Sequence, residues 1–202
     1  MWLLFASVIF YAWGEPAFIV VMLISIVINW LAALLIDNCK EQFNKKFCLA
    51  LILIFDIGVL FICKYVDFTI ENINIVLHCS IPKVGMTLPI GISFYTFQAL
   101  SYVIDVYRGE VPAQHNFWHM LLYISFFPQL IAGPIVKYRD IAAQITGRKE
   151  TIRKFAAGIM RFCWGLGKKV LLANSFARVV DEIFKYGPYA VSRKALWLGA
   201  IL

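Results

Sequence analysis

The chain has 202 residues, 61% of them apolar and 16% aromatic, with a mean hydropathy of +0.77. A small soluble domain leaves much of its surface in water and cannot hide so many apolar side chains. A soluble globule, a disordered chain and a secreted disulfide scaffold are therefore excluded, and the chain belongs in a bilayer. Charge adds a second constraint: 19 Lys and Arg stand against 12 Asp and Glu, a net +7. Residues 1–136 carry 6 basic and 8 acidic groups, whereas residues 137–194 carry 13 and 4. Flanked by apolar segments, that basic block fits anionic lipid headgroups and the topology rule better than nucleic acid, which is not expected as a partner.

In chain order, residues 2–13 form a short apolar stretch closed by Gly14-Glu15-Pro16. It lacks a basic leader and a small-residue cleavage site, so it reads poorly as a signal peptide. Residues 17–36 run twenty positions without a charge, enough for a membrane span. A polar loop at 37–46 carries Lys40, Lys45 and Lys46, and 47–63 is a second span with Asp56 inside it. Residues 64–83 are mixed in character and read as a loop or a surface helix.

Residues 84–104 are apolar but broken by Pro89 and Gly91, and a polar turn opens at Asp105. Residues 117–136 are apolar again, interrupted by Pro128 and Gly133-Pro134, and 137–154 read as a basic loop. From 151 to 172, Ile152, Phe155, Ala156, Ile159, Cys163, Leu166 and Val170 recur at steps of three and four. Lys154, Arg161 and Lys168 recur at steps of seven on another face, the pattern of a helix lying in the headgroup plane. A helix packed on the bundle in the manner of a soluble protein is the alternative. The chain stops inside the apolar run 195–202, which reads as a cut within a helix.

These elements describe an all-α, polytopic integral membrane helix bundle with a broken or re-entrant segment and an interfacial amphipathic helix. With loop 37–46 inside, a full crossing by 84–104 followed by 117–136 would carry the basic block 137–169 outside, against the positive-inside rule. The expectation is that 84–104 dips into the membrane and returns, lining a polar cavity, because non-helical backbone at that depth must be satisfied by protein or enclosed water.

The chemistry-bearing residues are sparse. The five cysteines, Cys39, Cys48, Cys63, Cys79 and Cys163, show no CxxC spacing and read as free thiols packed as small hydrophobes. His115 and His119 are four apart but have no carboxylate or Cys at ligand spacing, so no metal site is expected. Ionisable groups in apolar stretches carry more weight because placing them there is costly. Asp56 lies within a span, Asp105 and Arg108 can pair on a helix, and Lys64 can snorkel from a membrane edge. A polar path for an anionic or polar substrate would be lined by Lys64, Pro89, Gly91, Ser93, Tyr95, Gln98, Asp105, Arg108, Gln129, Gly133 and Pro134.

The stretch Met86-Thr-Leu-Pro-Ile-Gly-Ile-Ser-Phe-Tyr-Thr-Phe-Gln-Ala-Leu-Ser-Tyr-Val-Ile-Asp-Val-Tyr-Arg-Gly-Glu110 resembles the signature of the membrane-bound O-acyltransferase (MBOAT) superfamily. The resemblance is to its branch of alginate O-acetylation and D-alanyl-lipoteichoic acid transfer proteins. Phe126-Phe-Pro-Gln-Leu-Ile-Ala-Gly-Pro-Ile-Val-Lys-Tyr138 is similar to that branch's second block, and Phe10-Tyr-Ala-Trp13 and Gly167-Lys-Lys-Val170 also fit. The resemblance implies that residues 1–202 are the N-terminal part of a single membrane domain, a ring of helices around a funnel. It implies transfer of an acyl group from a cytoplasmic donor, acetyl-CoA or another activated carrier, to a polysaccharide hydroxyl. D-alanyl transfer to teichoic acid is the alternative reading.

The resemblance also implies an extracytoplasmic acetyltransferase partner, a bacterial inner-membrane location with 137–169 cytoplasmic, and no resident cofactor. The family's catalytic His sits in a later apolar helix, so none is assigned here and it is expected beyond Leu202. The 202 residues by themselves are expected to be inactive. A transporter or channel would show interrupted helices in two related halves, which this chain lacks, and a membrane scaffold would need no broken helices at all.

Overall fold

The computed structural model describes residues 2–130, 133–186 and 191–202, and among them every regular element is a helix. The chain folds as two compact units, residues 1–148 and 149–202, each taken here by itself. Ile131 and Ala132 of the second block lie outside the described residues.

The first unit is built on α2 (Ile19–Asn38) and α3 (Gln42–Leu77), both long and apolar enough to cross a bilayer. α2 carries Val20, Ile24, Val27, Leu31 and Leu35 on its exposed side. Its buried side holds Met22, Ser25, Ile26, Asn29, Ala33 and Ile36, so its polar residues face inward. That is the inverse of a soluble helix, as expected where lipid is the solvent. α3 is one continuous 36-residue helix, about 54 Å long at 1.5 Å per residue. The segment from Lys64, read as a loop or surface helix, continues this helix to Leu77 and outruns a hydrocarbon core of about 30 Å.

His78, left-handed at φ 50°, ends α3, and the chain folds back on its last turns. Asp67 accepts from the backbone N–H groups of Val84 (2.8 Å) and Gly85 (3.0 Å). Asn74 exchanges two hydrogen bonds with Ile81, and Lys83 pairs with Glu71 at 3.2 Å.

α4 (Ile92–Tyr107) then runs back between α2 and α3. Its far end lies beside the far end of α2. Asp37 accepts from the Ala113 N–H at 3.1 Å, and the Trp30 indole N–H donates to the Gln114 carbonyl at 2.6 Å. Residues 92–107 therefore traverse the unit and do not dip and return. The reversal falls on the next segment. α5 (Phe117–Ser125) rises from that end, the four-residue α6 (Phe127–Leu130) follows, and the chain descends to α7 (Tyr138–Gly147). The Tyr138 hydroxyl, accepting from Gln114 Nε2 at 2.6 Å, closes the loop at its starting level. The described residues of the apolar run 117–136 are thus two short helices, with irregular chain at 133–136. Part of the expected basic loop, 138–147, is helical, with Asp140 in its first turn.

α1 (Trp2–Gly14) packs on α5 and α6. The core is drawn from α1–α7 and the turn at 111–113, and it centres on Met22, Ile26, Tyr95, Tyr102, Val103, Met120 and Tyr123. In the second unit, α8 (Ile152–Gly167) passes through a π-helical stretch at Lys168–Ala173 into α9 (Asn174–Lys185). α10 (Arg193–Ile201) packs Gly199 against Phe184.

Two outcomes follow from this arrangement. In a background without native cysteines, single cysteines at positions 45, 110 and 139 label from one side of the membrane and one at 83 labels from the other. Labelling of 110 and 139 from opposite sides contradicts the returning α5–α6 segment. Inside the bundle, the Asn29 Nδ2–H donates to Asp56 Oδ1 at 3.0 Å and ties α2 to α3. A double-mutant cycle of Asn29→Leu and Asp56→Leu, read by thermal unfolding in detergent, yields a favourable coupling of about 1 kcal/mol.

Candidate functional site

Two irregular stretches of backbone meet in the first unit. One is Pro89–Gly91, the approach to α4. The Ile90 N–H donates to Glu15 Oε1 at 3.3 Å, and the Ile90 carbonyl accepts from the Tyr11 hydroxyl at 3.1 Å. Side chains from the end of α1 thus complete backbone groups that no helix satisfies, as a membrane setting demands. Gly91 is left-handed, at φ 78°, and a Cβ there would lie 3.0 Å from the Leu130 carbonyl oxygen. Only glycine allows both the turn and the close approach.

The other stretch is the crest of the returning segment. The Phe127 N–H donates to Ser7 Oγ at 3.4 Å, and the Gly133 N–H donates to the Gln129 carbonyl at 2.9 Å. A Cβ at Gly133 would lie 2.6 Å from Gln129 Cα. The Gln129 side-chain amide nitrogen is buried and has no hydrogen-bond partner.

From this junction a seam of buried polar groups follows α4 toward the other end. The Tyr95 hydroxyl and Thr96 Oγ1 are buried and unpartnered. Facing the same helix from the α2–α3 contact, Asp56 accepts from Asn29 and, at 3.5 Å, from the Ser25 hydroxyl. Asn29 Oδ1 and Asp56 Oδ2 are left without partners. One turn past Tyr95, Gln98 Nε2 donates to the Tyr123 carbonyl at 2.8 Å. Tyr102, Tyr123 and Tyr138 stack edge to face with centroids 5.0–6.4 Å apart. The Tyr102 hydroxyl accepts from the Gln114 N–H at 2.7 Å, and the Tyr123 hydroxyl donates to the Val136 carbonyl at 2.9 Å. Burial raises the Tyr138 phenol above its ordinary value, against a lowering by the Gln114 amide, so Gln114 donates to a neutral hydroxyl.

The structure brings together Pro89, Gly91, Gln129 and Gly133 at the junction. Tyr95, Gln98 and Asp105 lie along the seam, all buried. Ser93 is half-buried and Pro134 exposed. Lys64 and Arg108 stand apart from both: Lys64 is exposed with Nζ 5.3 Å from the Tyr65 ring centre, and Arg108 is exposed beyond α4. The expected Asp105–Arg108 pair does not form. Arg108 lies 3.8 Å from Glu110, which also holds Arg139 at 2.8 Å. Asp105 is 2% exposed and its Oδ2 is unpartnered, because it turns into the bundle where Arg108, at the helix end, turns out.

Sequence reading missed Gln114, whose backbone and side chain join Trp30, Tyr102 and Tyr138. It also missed Asn29 as the partner of Asp56, for which a polar residue inside an uncharged span was the available signal. Among the described residues no three His, Cys, Asp or Glu side chains gather as metal ligands. The groups present are amides, hydroxyls, phenols and two buried carboxylates. They can hold water or polar atoms along a path.

The family profile of MBOAT, the membrane-bound O-acyltransferase family, matches residues 18–201. A probable alginate O-acetylase AlgI of Pseudomonas aeruginosa is 37% identical over 98% of this chain and 39% of its own length. That of Azotobacter vinelandii is 37% identical over 98% of the chain and 40% of its length. A peptidoglycan O-acetyltransferase of Helicobacter pylori is 31% identical over 90% of the chain and 40% of its length. The chain thus spans about two fifths of the curated relatives it matches, and no solved structure matches it. With the match covering nearly all of α2 to α10, the chain belongs to the membrane-bound O-acyltransferase family.

Proposed function

We propose that the whole protein moves an acetyl group from an activated donor on the cytoplasmic side of the bacterial inner membrane to hydroxyls of a cell-surface polysaccharide. The observation that carries this is the family match, joined to relatives named for O-acetylation of two sugar polymers, alginate and peptidoglycan. What the two acceptors share is the sugar hydroxyl. A donor thioester, acetyl-CoA or another acyl carrier, supplies the acyl group. The hydroxyl oxygen attacks the carbonyl carbon, the C–S bond breaks, and the proton leaves the oxygen as the thiol departs. A hydroxyl is a weak nucleophile at neutral pH, and a base positioned to take its proton contributes roughly 10²–10⁴-fold. That base is assigned to the part of the protein outside these residues, and an extracytoplasmic acetyltransferase is the proposed partner for the acceptor.

The residues described here supply walls. The junction of Gly91 with Leu130 holds two pieces of irregular backbone in contact, and the seam beside it keeps polar atoms within an apolar surround, where water is scarce. The positive-inside rule supports a cytoplasmic location for the end bearing Lys40, Lys45, Lys46, Lys137 and Arg139.

Vesicles carrying the whole protein, given radiolabelled acetyl-CoA and an unmodified polysaccharide, are expected to accumulate label as an alkali-labile ester. Gly91→Ala and Gln129→Leu lower that transfer on the order of tenfold through misplaced walls, while the exposed Lys64→Ala leaves it within about twofold. Absence of ester above protein-free vesicles overturns the activity. Equal loss in Lys64→Ala overturns the placement of the path.

A further inference from the structure

α8 is a well-formed helix whose apolar side is exposed. Thr151 caps it, its hydroxyl accepting from the Lys154 N–H at 3.2 Å. None of its residues is buried: Ile152 is 89% exposed, Phe155 71%, Phe162 68% and Trp164 70%. At 100° per residue, Ile152, Phe155, Ala156, Ile159, Phe162, Cys163 and Leu166 share one broad arc. Lys154, Arg161 and Lys168 lie on the opposite side, and Arg153 flanks the arc. A helix of this length in water is marginal without such a face being covered.

The charge pattern says what covers it. Residues 152–173 hold five basic groups and no acidic one. Arg153 and Lys154 stand in the first turn, where the positive end of the helix dipole disfavours cations, and no acidic residue stands there to offset them. Around the Thr151 cap, residues 149–154 hold Lys149, Arg153 and Lys154 against Glu150 alone, so cations are in excess at the end that most favours an anion. The adjoining α9 differs, because its two basic residues, Arg178 and Lys185, are matched by Asp181 and Glu182.

We propose that α8 and the π-helical stretch after it form a docking surface for anionic phospholipid. The helix lies along the bilayer plane, its apolar arc in the acyl boundary and its cations among lipid phosphates. The lipid supplies both things the helix lacks: an apolar phase for one side and negative charge for the other. The inference is independent of the proposed acyl transfer, since it concerns only how this helix is seated.

The test uses the whole protein in nanodiscs of phosphatidylcholine, with and without one quarter phosphatidylglycerol. Spin labels are placed singly at positions 155, 159, 162 and 161 in a background free of native cysteines, and collision with oxygen and with a water-soluble nickel chelate is measured. In the anionic discs, labels at 155, 159 and 162 are expected to collide with oxygen at least several-fold more, relative to nickel, than the label at 161. The triple variant Lys154→Glu, Arg161→Glu, Lys168→Glu reduces that contrast at 155 and 159 by half or more. A label at Val20, on the lipid side of α2, reports that the variant is still folded and inserted.

Shielding of 155, 159 and 162 from both reagents overturns the proposal in favour of protein cover. Free nickel access at those positions overturns it in favour of water. Equal contrast with and without phosphatidylglycerol overturns the choice of anionic lipid.

Discussion

Within hydrocarbon no water completes a polar group, so each one must find its partner inside the protein. That constraint organises the first unit. Its spans turn Ser25, Asn29 and Asp56 toward one another and leave Val20, Ile24, Val27 and Leu31 to the lipid. It also explains why α1, too short to span at 13 residues, ends where it does. Tyr11 and Glu15 are needed at the carbonyl and N–H of Ile90, which would otherwise face an apolar surround. The break at Pro89–Gly91 is possible because another element completes it.

The same constraint decides which segment reverses. Both 84–104 and 117–136 are apolar and carry Pro and Gly, so local pattern and the charge rule together require one returning segment without saying which. Contacts between residues far apart in sequence decide it: Asp37 with Ala113, Trp30 with Gln114, and Glu110 with Arg139. These place 108–116 and 137–139 at one end. A charge count on loops was enough for the parity of crossings but not for their location.

Legibility elsewhere followed the range of the interaction. The spans at 17–36 and 47–63 and the helix at 152–167 were readable because hydropathy and helical spacing are local. The continuation of α3 past Lys64 was not, because its polar residues there are satisfied by the returning loop through Asp67, Asn74 and Glu71. Asp105 and Arg108 have the spacing of a helical pair, yet the helix ends between them and their side chains part. At the site, the glycines and Gln129 stood out as breaks in an apolar run. Gln114 lies in a polar turn whose importance comes only from what folds onto it.

The chemistry of the seam bears on how work divides within the family architecture. Amides and hydroxyls orient and hydrate, but abstracting a proton from a sugar hydroxyl calls for a group that titrates near neutral pH. His78 ends α3 ahead of the loop that leads to Gly91, and His115 lies exposed beside the end of α4 opposite the Gly91–Leu130 junction. His119, on α5, is half-buried. The seam's amides, hydroxyls and phenols, with the two buried carboxylates of Asp56 and Asp105, keep polar atoms within an apolar surround. Glycine at the junction lets the two segments lie close, because the turn is left-handed and a Cβ there would lie 3.0 Å from the Leu130 carbonyl oxygen.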